Sequence, residues 1–206
     1  MIIVDVEQRS PQWLALRRGA ITASKADRLL TPAKVRELAL ELATERLVRE
    51  LPEQPITAAM QRGLDLEDTA RLRHAFELGA HVETVGFVWH ADLEGWVGCS
   101  PDGLIGTDGL VEIKCPSSKR HLETLTTRTP APEYLAQMQM QMWVCERAWC
   151  DFVSYDDRFE QADYLAIRVP RDEDMITKLA AGATTCIELM QRHLDAYRNI
   201  NQREAA

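Results

Sequence analysis

The chain has 206 residues, 46% apolar and 27% charged, a length and balance that suit one large or two small globular domains and exclude disorder and a fibre. With 32 acidic against 24 basic residues the formal charge is −8, which excludes a protein held to nucleic acid by bulk charge alone but leaves room for a local basic patch. Five cysteines (Cys99, Cys115, Cys145, Cys150, Cys186), without a C-x-x-C pair, indicate neither a disulfide framework nor a ribbon-type zinc site and suit a reducing cytosol. No window approaches the roughly 18 apolar residues of a membrane span. The start, Met1 to Glu7, lacks the basic flank and long apolar run of a signal peptide, so a soluble, cytoplasmic protein with no membrane contact is expected.

The prolines are scattered and no repeat appears, which favours a single domain over residues 1–206. Ser10-Pro11 followed by residues 12–19 predicts a short helix with Ser at the N-cap, Pro at N1 and Gly19 at the stop. A second helix is predicted from Lys25 to Leu30, with Thr22 and Ser24 supplying capping hydroxyls, and a third from about Lys34 to Glu50, with Val35, Leu38, Leu42 and Leu47 on one period. Residues 61–78 carry Leu64, Leu72, Ala75, Phe76 and Leu78 on a helical period that Gly79 ends. These segments form a helical N-terminal layer over about 10–78. A β-meander over about 81–115 follows, because residues 81–90, 96–100 and 110–115 are rich in Val, Ile, Thr and Trp between Gly and Asp clusters; three antiparallel strands are the simple reading. Beyond it come a helix over Glu133 to Glu146, strands at 149–155 and 164–169, and a long helix from about Asp172 to Ile200. The expected fold class is α/β (α+β), a mixed central sheet flanked by helices.

The chemistry is concentrated between Gly98 and Pro116. Glu112 and Lys114 are two apart on an apolar strand and share a face, about 6.6 Å apart along the chain, while Val111 and Ile113 face the core. If the hairpin turn is centred on Thr107, Asp102 lies opposite Glu112, with β-carbons about 4.5–5.5 Å apart. Two carboxylates so placed repel, and a hard dication removes the repulsion, so Asp102, Glu112 and the backbone carbonyl of Ile113 make a plausible Mg²⁺ site. Lys114 beside it is placed to orient or deprotonate a water for attack on a phosphodiester. Each element also has a plainer reading: Asp102-Gly103 and Asp108-Gly109 are ordinary turn dipeptides, and a Glu and a Lys on one strand suit a solvated face. In combination, the Pro-Asp-Gly, the ten-residue interval and the apolar-Glu-apolar-Lys strand match the PD-(D/E)XK nuclease pattern. The Met138, Met140, Met142 and Trp143 cluster reads as core packing. The five histidines have no metal-ligand spacing with the cysteines.

Four segments, residues 13–24, 98–104, 110–116 and 134–139, resemble in sequence, order and spacing the lambda-exonuclease (YqaJ) family of phage recombination nucleases, over roughly residues 7–155. The resemblance implies a PD-(D/E)XK, restriction-endonuclease-like core and a Mg²⁺-dependent 5′-to-3′ exonuclease on double-stranded DNA. It further implies two ions, Mn²⁺ as a substitute, a homotrimeric ring, and delivery of the exposed strand to a single-strand annealing protein. Carried over by position, it makes Asp102 and Glu112 metal ligands and Lys114 the catalytic lysine, joined by Gln137. Glu67 becomes the helix carboxylate near a second metal. Arg17, Ser24 and Ser100 fall where the family binds the terminal 5′-phosphate. Alone, Gln137 reads as a hydrogen-bonding helix residue, Glu67 as a solvated face and Ser24 as a cap. A helix N-terminus at Ser24 with a guanidinium beside it also suits a phosphate. The basic groups Arg17, Arg18, Lys25 and Arg28, together with Lys114, Lys119, Arg120 and Arg128, are expected to line a channel within an acidic exterior. The alternatives are a PD-(D/E)XK endonuclease of restriction or repair type, and a catalytically inactive DNA-binding protein on the same fold.

Overall fold

A computed structural model describes residues 1–52 and 55–204. Its strands fall into two mixed sheets. The smaller sheet has the order β1-β4-β5-β2, with β1 Ile2–Val4, β2 Ile21–Thr22, β4 Phe87–Trp89 and β5 Val97–Cys99. The larger has the order β3-β6-β7-β8-β9, with β3 Val82–Glu83, β6 Gly103–Ile105, β7 Gly109–Lys114, β8 Trp149–Tyr155 and β9 Tyr164–Pro170. The expected α/β class with mixed sheets flanked by helices is what forms. The three-strand meander is corrected: the stretch over 81–90 breaks at Gly86 into β3 and β4, which go to different sheets, and β6 is an additional strand. Gly86 leaves no room for a side chain, since a Cβ there would meet the Val6 carbonyl oxygen at 1.9 Å.

The helices are α1 Pro11–Arg17, α2 Pro32–Leu47, α3 Ala58–Leu78, α4 Ser118–Thr127, α5 Pro132–Cys145 and α6 Glu173–Glu204. In α1 the Ser10 hydroxyl accepts the Trp13 N–H and Pro11 opens the first turn, as its sequence dictates. The predicted helix after Thr22 is instead a 3₁₀ segment, Ala23–Leu30, in which Thr22 makes no side-chain cap. Its buried residues are Ala23, Ala26 and Leu29, three apart, the spacing of a three-residue turn. On α3 the periodic apolar set divides: Ala75 and Leu78 pack against the second core cluster, but Leu72 and Phe76 are 72% and 82% exposed, and the fully buried positions are Ala70 and His74.

β7 is buried on both faces, which is what a strand with a parallel neighbour requires. Leu110 joins the main core with Phe152, Met138, Met140 and Met142 on the α5 side. Val111 and Ile113 join a second cluster with Ala70, Val82, Val153 and Tyr155 on the α3 side. The three methionines are fully buried, as their cluster suggested.

Candidate active site

The β6–β7 hairpin sets the first part of the site. Gly103 pairs with Val111, Leu104 with Leu110 and Ile105 with Gly109, a register centred on residue 107, which puts Asp102 opposite Glu112 as the sequence predicted. Asp102-Gly103 is not a turn dipeptide, because Gly103 begins β6. A Cβ at Gly103 would meet Val82 Cγ1 at 2.3 Å and Val111 Cγ1 at 3.1 Å. Gly103→Ala is therefore expected to push β3 from β6 and shift Asp102, costing about 1–3 kcal/mol by overpacking. Denaturant unfolding alongside a cleavage assay would register both effects, and wild-type values in each would disprove this account of the glycine.

Beyond Gly103 the ladder is continued by a side chain, the Ile113 N–H donating to Asp102 Oδ2 at 2.6 Å. The N–H and C=O of a strand residue project to the same side, so the Ile113 carbonyl points toward the Asp102 edge. Glu112 is 1% exposed. Gln137 Nε2 donates to its Oε1 at 2.7 Å and Gln141 Nε2 to its Oε2 at 2.6 Å, both from α5, while Lys114 pairs with Oε1. Lys114 also sits 5.1 Å from the ring centre of Tyr134, one turn before Gln137 on α5. Burial works against the Lys114 ammonium, but Glu112 and Asp102 outweigh it and hold its pKa above the ordinary lysine value. Its charge is thus secure in the metal-free protein, where it is a cation orienting groups around it and not a free base. Enclosure, then the neighbouring Glu112, pushes the Asp102 carboxyl well above the usual carboxylate range, opposed by Lys114 and the Ile113 N–H.

Glu67 reaches the same cleft from α3, but both of its oxygens are engaged. Arg71 donates to Oε1 at 2.7 Å and Arg9 to Oε2 at 2.6 Å. Arg71 also donates through Nε to the Asp102 carbonyl at 2.8 Å, tying α3 to the carboxylate hairpin. Among the described residues no three His, Cys, Asp or Glu side chains converge as a metal cluster; the convergent donors are two carboxylates and a backbone carbonyl. The cleft, of about 710 Å³, is lined by Glu67, Ile113, Lys114, Tyr134 and Arg62 among others.

The second cluster forms where two parallel strands end. β2 pairs with β5 through Ile21↔Val97 and Thr22↔Gly98, and Ser24 and Ser100 each follow the last of these pairs by two residues, Ser24 within the 3₁₀ segment. Arg17 stacks on Trp13 at 4.2 Å, the Trp13 indole N–H donates to Ser100 Oγ at 2.8 Å, and Arg17 reaches Ser24 Oγ at 3.4 Å. Arg17 makes no ion pair among the described residues, and burial lowers its pKa, opposed by Cys99 and Glu45. The broader set of basic residues is partly neutralised. Lys25 and Arg28 pair with Glu41, Lys25 also with Glu45, and Arg120 with Glu123 and Glu133, while Arg18 donates to the Glu45 and Arg49 carbonyls. Lys25, Arg28 and Arg120 are thus paired with acidic residues near them in sequence or on the next helix and Arg18 is held by backbone carbonyls, whereas Arg17, Lys119 and Arg128 make no ion pair among the described residues. Gln141 went unmarked in the sequence; its one signal was its place four residues after Gln137, on the same helix face.

A family model described as a YqaJ-like viral recombinase domain matches residues 12–148. The chain belongs to this family. No curated protein matches it. Among solved structures, an alkaline exonuclease (LHK-Exo) from Laribacter hongkongensis is 39% identical, covering 96% of this chain and 100% of its own, with a TM-score of 0.86. The same enzyme in complex with dAMP is 38% identical over the same shares, with a TM-score of 0.87. A phage related exonuclease from Haemophilus somnus 129PT, 13% identical over 86% of this chain and 96% of its own, shares the fold at a TM-score of 0.66. This YqaJ-family chain is an exonuclease-like nuclease, and among its described residues no helix is long and apolar enough to cross a membrane.

Proposed function

We propose that the chain is a Mg²⁺-dependent 5′-to-3′ exonuclease that digests one strand of double-stranded DNA from its ends, in the cytoplasm, to feed single-strand-annealing recombination. The observation that carries this reading is the adjacency of two unlike sites: Ser100 of the Arg17–Ser24–Ser100 cluster lies two residues before Asp102. An unpaired guanidinium with two hydroxyls suits a terminal phosphate, and the carboxylate pair beside it suits the scissile one. A terminal phosphate held there sets how far from the end the cut falls. Residues 1–206 act in this reading as a single nuclease domain, since α3 and α5 supply side chains to the same hairpin.

The donor set fits a hard dication. Asp102, Glu112 and the Ile113 carbonyl are all oxygen donors, and a bound cation would relieve the repulsion from Glu112 that, after enclosure, raises the Asp102 pKa. When bound, Mg²⁺ would supply positive charge against the scissile phosphate and make a nearby water more acidic. Lys114 orients that water and faces the developing negative charge, while Gln137 holds Glu112 in place. Glu67 serves a second ion only if Arg9 and Arg71 give up their hold on it. Mn²⁺ is expected to substitute, and Ca²⁺, with its longer bonds, to bind unproductively. A homotrimeric ring is proposed as the assembly, supported by the exposed Leu72 and Phe76 four residues apart on α3. Encirclement would retain DNA that a protein of charge −8 grips poorly. The exposed strand would pass to a single-strand annealing protein.

The deciding assay uses linear duplex with and without a 5′-phosphate, and a covalently closed circle, each in Mg²⁺ and in chelator. Release of 5′-terminal label first, with the circle intact and no cleavage in chelator, is expected. Cutting of the circle would replace the reading with an endonuclease, and release from the 3′ end would reverse the polarity. In the same assay Arg17→Ala should narrow the rate difference between phosphorylated and unphosphorylated ends. An equal loss on both substrates would remove Arg17 from the end pocket. The Ser24 hydroxyl contacts Thr22 Oγ1 at 3.1 Å and Arg17, and caps no helix. Ser24→Ala should therefore alter end preference with a stability change within about 0.5 kcal/mol.

A further inference from the structure

We propose that Gln141 is a positioning residue that holds the Glu112 carboxylate in the orientation needed for divalent-cation binding. The inference rests on the reading of Glu112 as a metal ligand and adds a residue to it. Gln141 is fully buried, with Met140, Met142 and Val144 around it in sequence equally buried. Its Nε2 donates to Glu112 Oε2 at 2.6 Å, while its own Oε1 is buried with no hydrogen-bond partner among the described residues.

That orphaned acceptor is informative. An amide buried this way is a net liability, and an apolar side chain of the same size would suit the methionine-rich interior better. Turning the amide round would not help, because Oε1 would then face the carboxylate. The arrangement makes sense only if the Nε2–H is needed on Glu112. Lys114 and Gln137 both reach Oε1, so without Gln141 nothing holds Oε2 and the carboxylate is free to rotate. Lys114 and Gln137 are also partly exposed, Lys114 in the lining of the cleft, whereas Gln141 is fully buried and can act only through Glu112. A carboxylate already fixed by two amides one helical turn apart presents its free lone pairs to a cation without first being ordered. Partners of this kind, one step behind a ligand, set metal affinity in other proteins by about ten- to a hundredfold.

The test is Gln141→Met, with Gln141→Asn, which keeps the amide but falls short of Glu112, as the second variant should the first not fold. Mg²⁺ is titrated calorimetrically into the protein without DNA, and cleavage is measured across Mg²⁺ concentrations, with melting followed in chelator. Either variant should bind Mg²⁺ about ten- to a hundredfold more weakly. Half-saturating Mg²⁺ for cleavage should rise in step, KM for DNA should stay at the wild-type value, and excess Mg²⁺ should restore turnover. Binding as tight as wild type, or a loss of turnover that excess Mg²⁺ does not restore, would overturn the proposal. Wild-type protein and Glu112→Gln binding Mg²⁺ alike would instead overturn the reading of Glu112 beneath it.

Discussion

Asp102→Asn and Glu112→Gln should each abolish Mg²⁺-dependent cleavage, yet move stability in chelator in opposite directions. Both remove ligand charge with little change of shape, so loss of turnover follows if the pair holds the cation. Their surroundings differ. The Asp102 carboxyl has its pKa raised by enclosure and by Glu112. A carboxyl whose folded pKa lies above its unfolded value costs stability once pH exceeds the unfolded pKa, so Asp102→Asn should melt higher than wild type at neutral pH in chelator. The Ile113 N–H can still donate to the new amide oxygen. Glu112 differs in its contacts: it accepts from Gln137 and Gln141 and pairs with Lys114. Glu112→Gln brings an NH₂ against groups that already donate and leaves Lys114 short of its nearest anion, a loss of about 1–3 kcal/mol. Thermal melts beside cleavage assays decide the matter: turnover near wild type in either variant would sink the metal assignment, and the same direction of melting shift in both would contradict the electrostatic account.

Lys114→Ala should lower the cleavage rate by about 10²–10⁴-fold while leaving Mg²⁺ binding intact or tighter. In the metal-free protein the ammonium occupies Glu112 Oε1, one of the atoms a cation needs. Deleting it removes a competing positive charge as well as the group that faces the water. Calorimetry without DNA, paired with single-turnover cleavage, separates these effects. Weaker Mg²⁺ binding with the rate spared would place Lys114 among the groups that hold the ion.

The hairpin was the most legible part of this chain because one assumption, a turn centred on Thr107, fixes every facing pair, and 102 against 112 follows by arithmetic. The capped α1 and the periodic α2 and α5 were legible for similar reasons: their cues are local. What escaped is non-local. β1 and β2 are three and two residues long, too short to show a period, and β2 exists because β5 pairs with it. Helix α4 hid its inward face behind His121 and Thr124, both polar and buried; His121 contacts Ser154 Oγ at 2.7 Å, a partner distant in sequence. On α3 the period announced a helix correctly, but periodicity does not say which neighbour each face meets, and Leu72 and Phe76 point outward. Arg18, Lys25 and Arg28 looked like a basic cluster until α2 brought Glu41 and Glu45 against two of them and its end carbonyls against the third.

The parallel pairing of β7 with β8 bears on when the molecule becomes competent. Parallel neighbours require a crossover, and here residues 115–148 make it, carrying α4 and α5 over the face of the sheet on which Glu112 lies. The amides that grip Glu112 are thus delivered by the connection itself. Closing such a connection costs chain entropy before any contact repays it, so this pairing is expected to form more slowly than the local β6–β7 hairpin. Until it closes, Glu112 has neither Gln137 nor Gln141, and the hairpin alone is two carboxylates in water. A chain in which this crossover has not closed therefore lacks the amides that hold Glu112, and the site is complete only once α5 is in place.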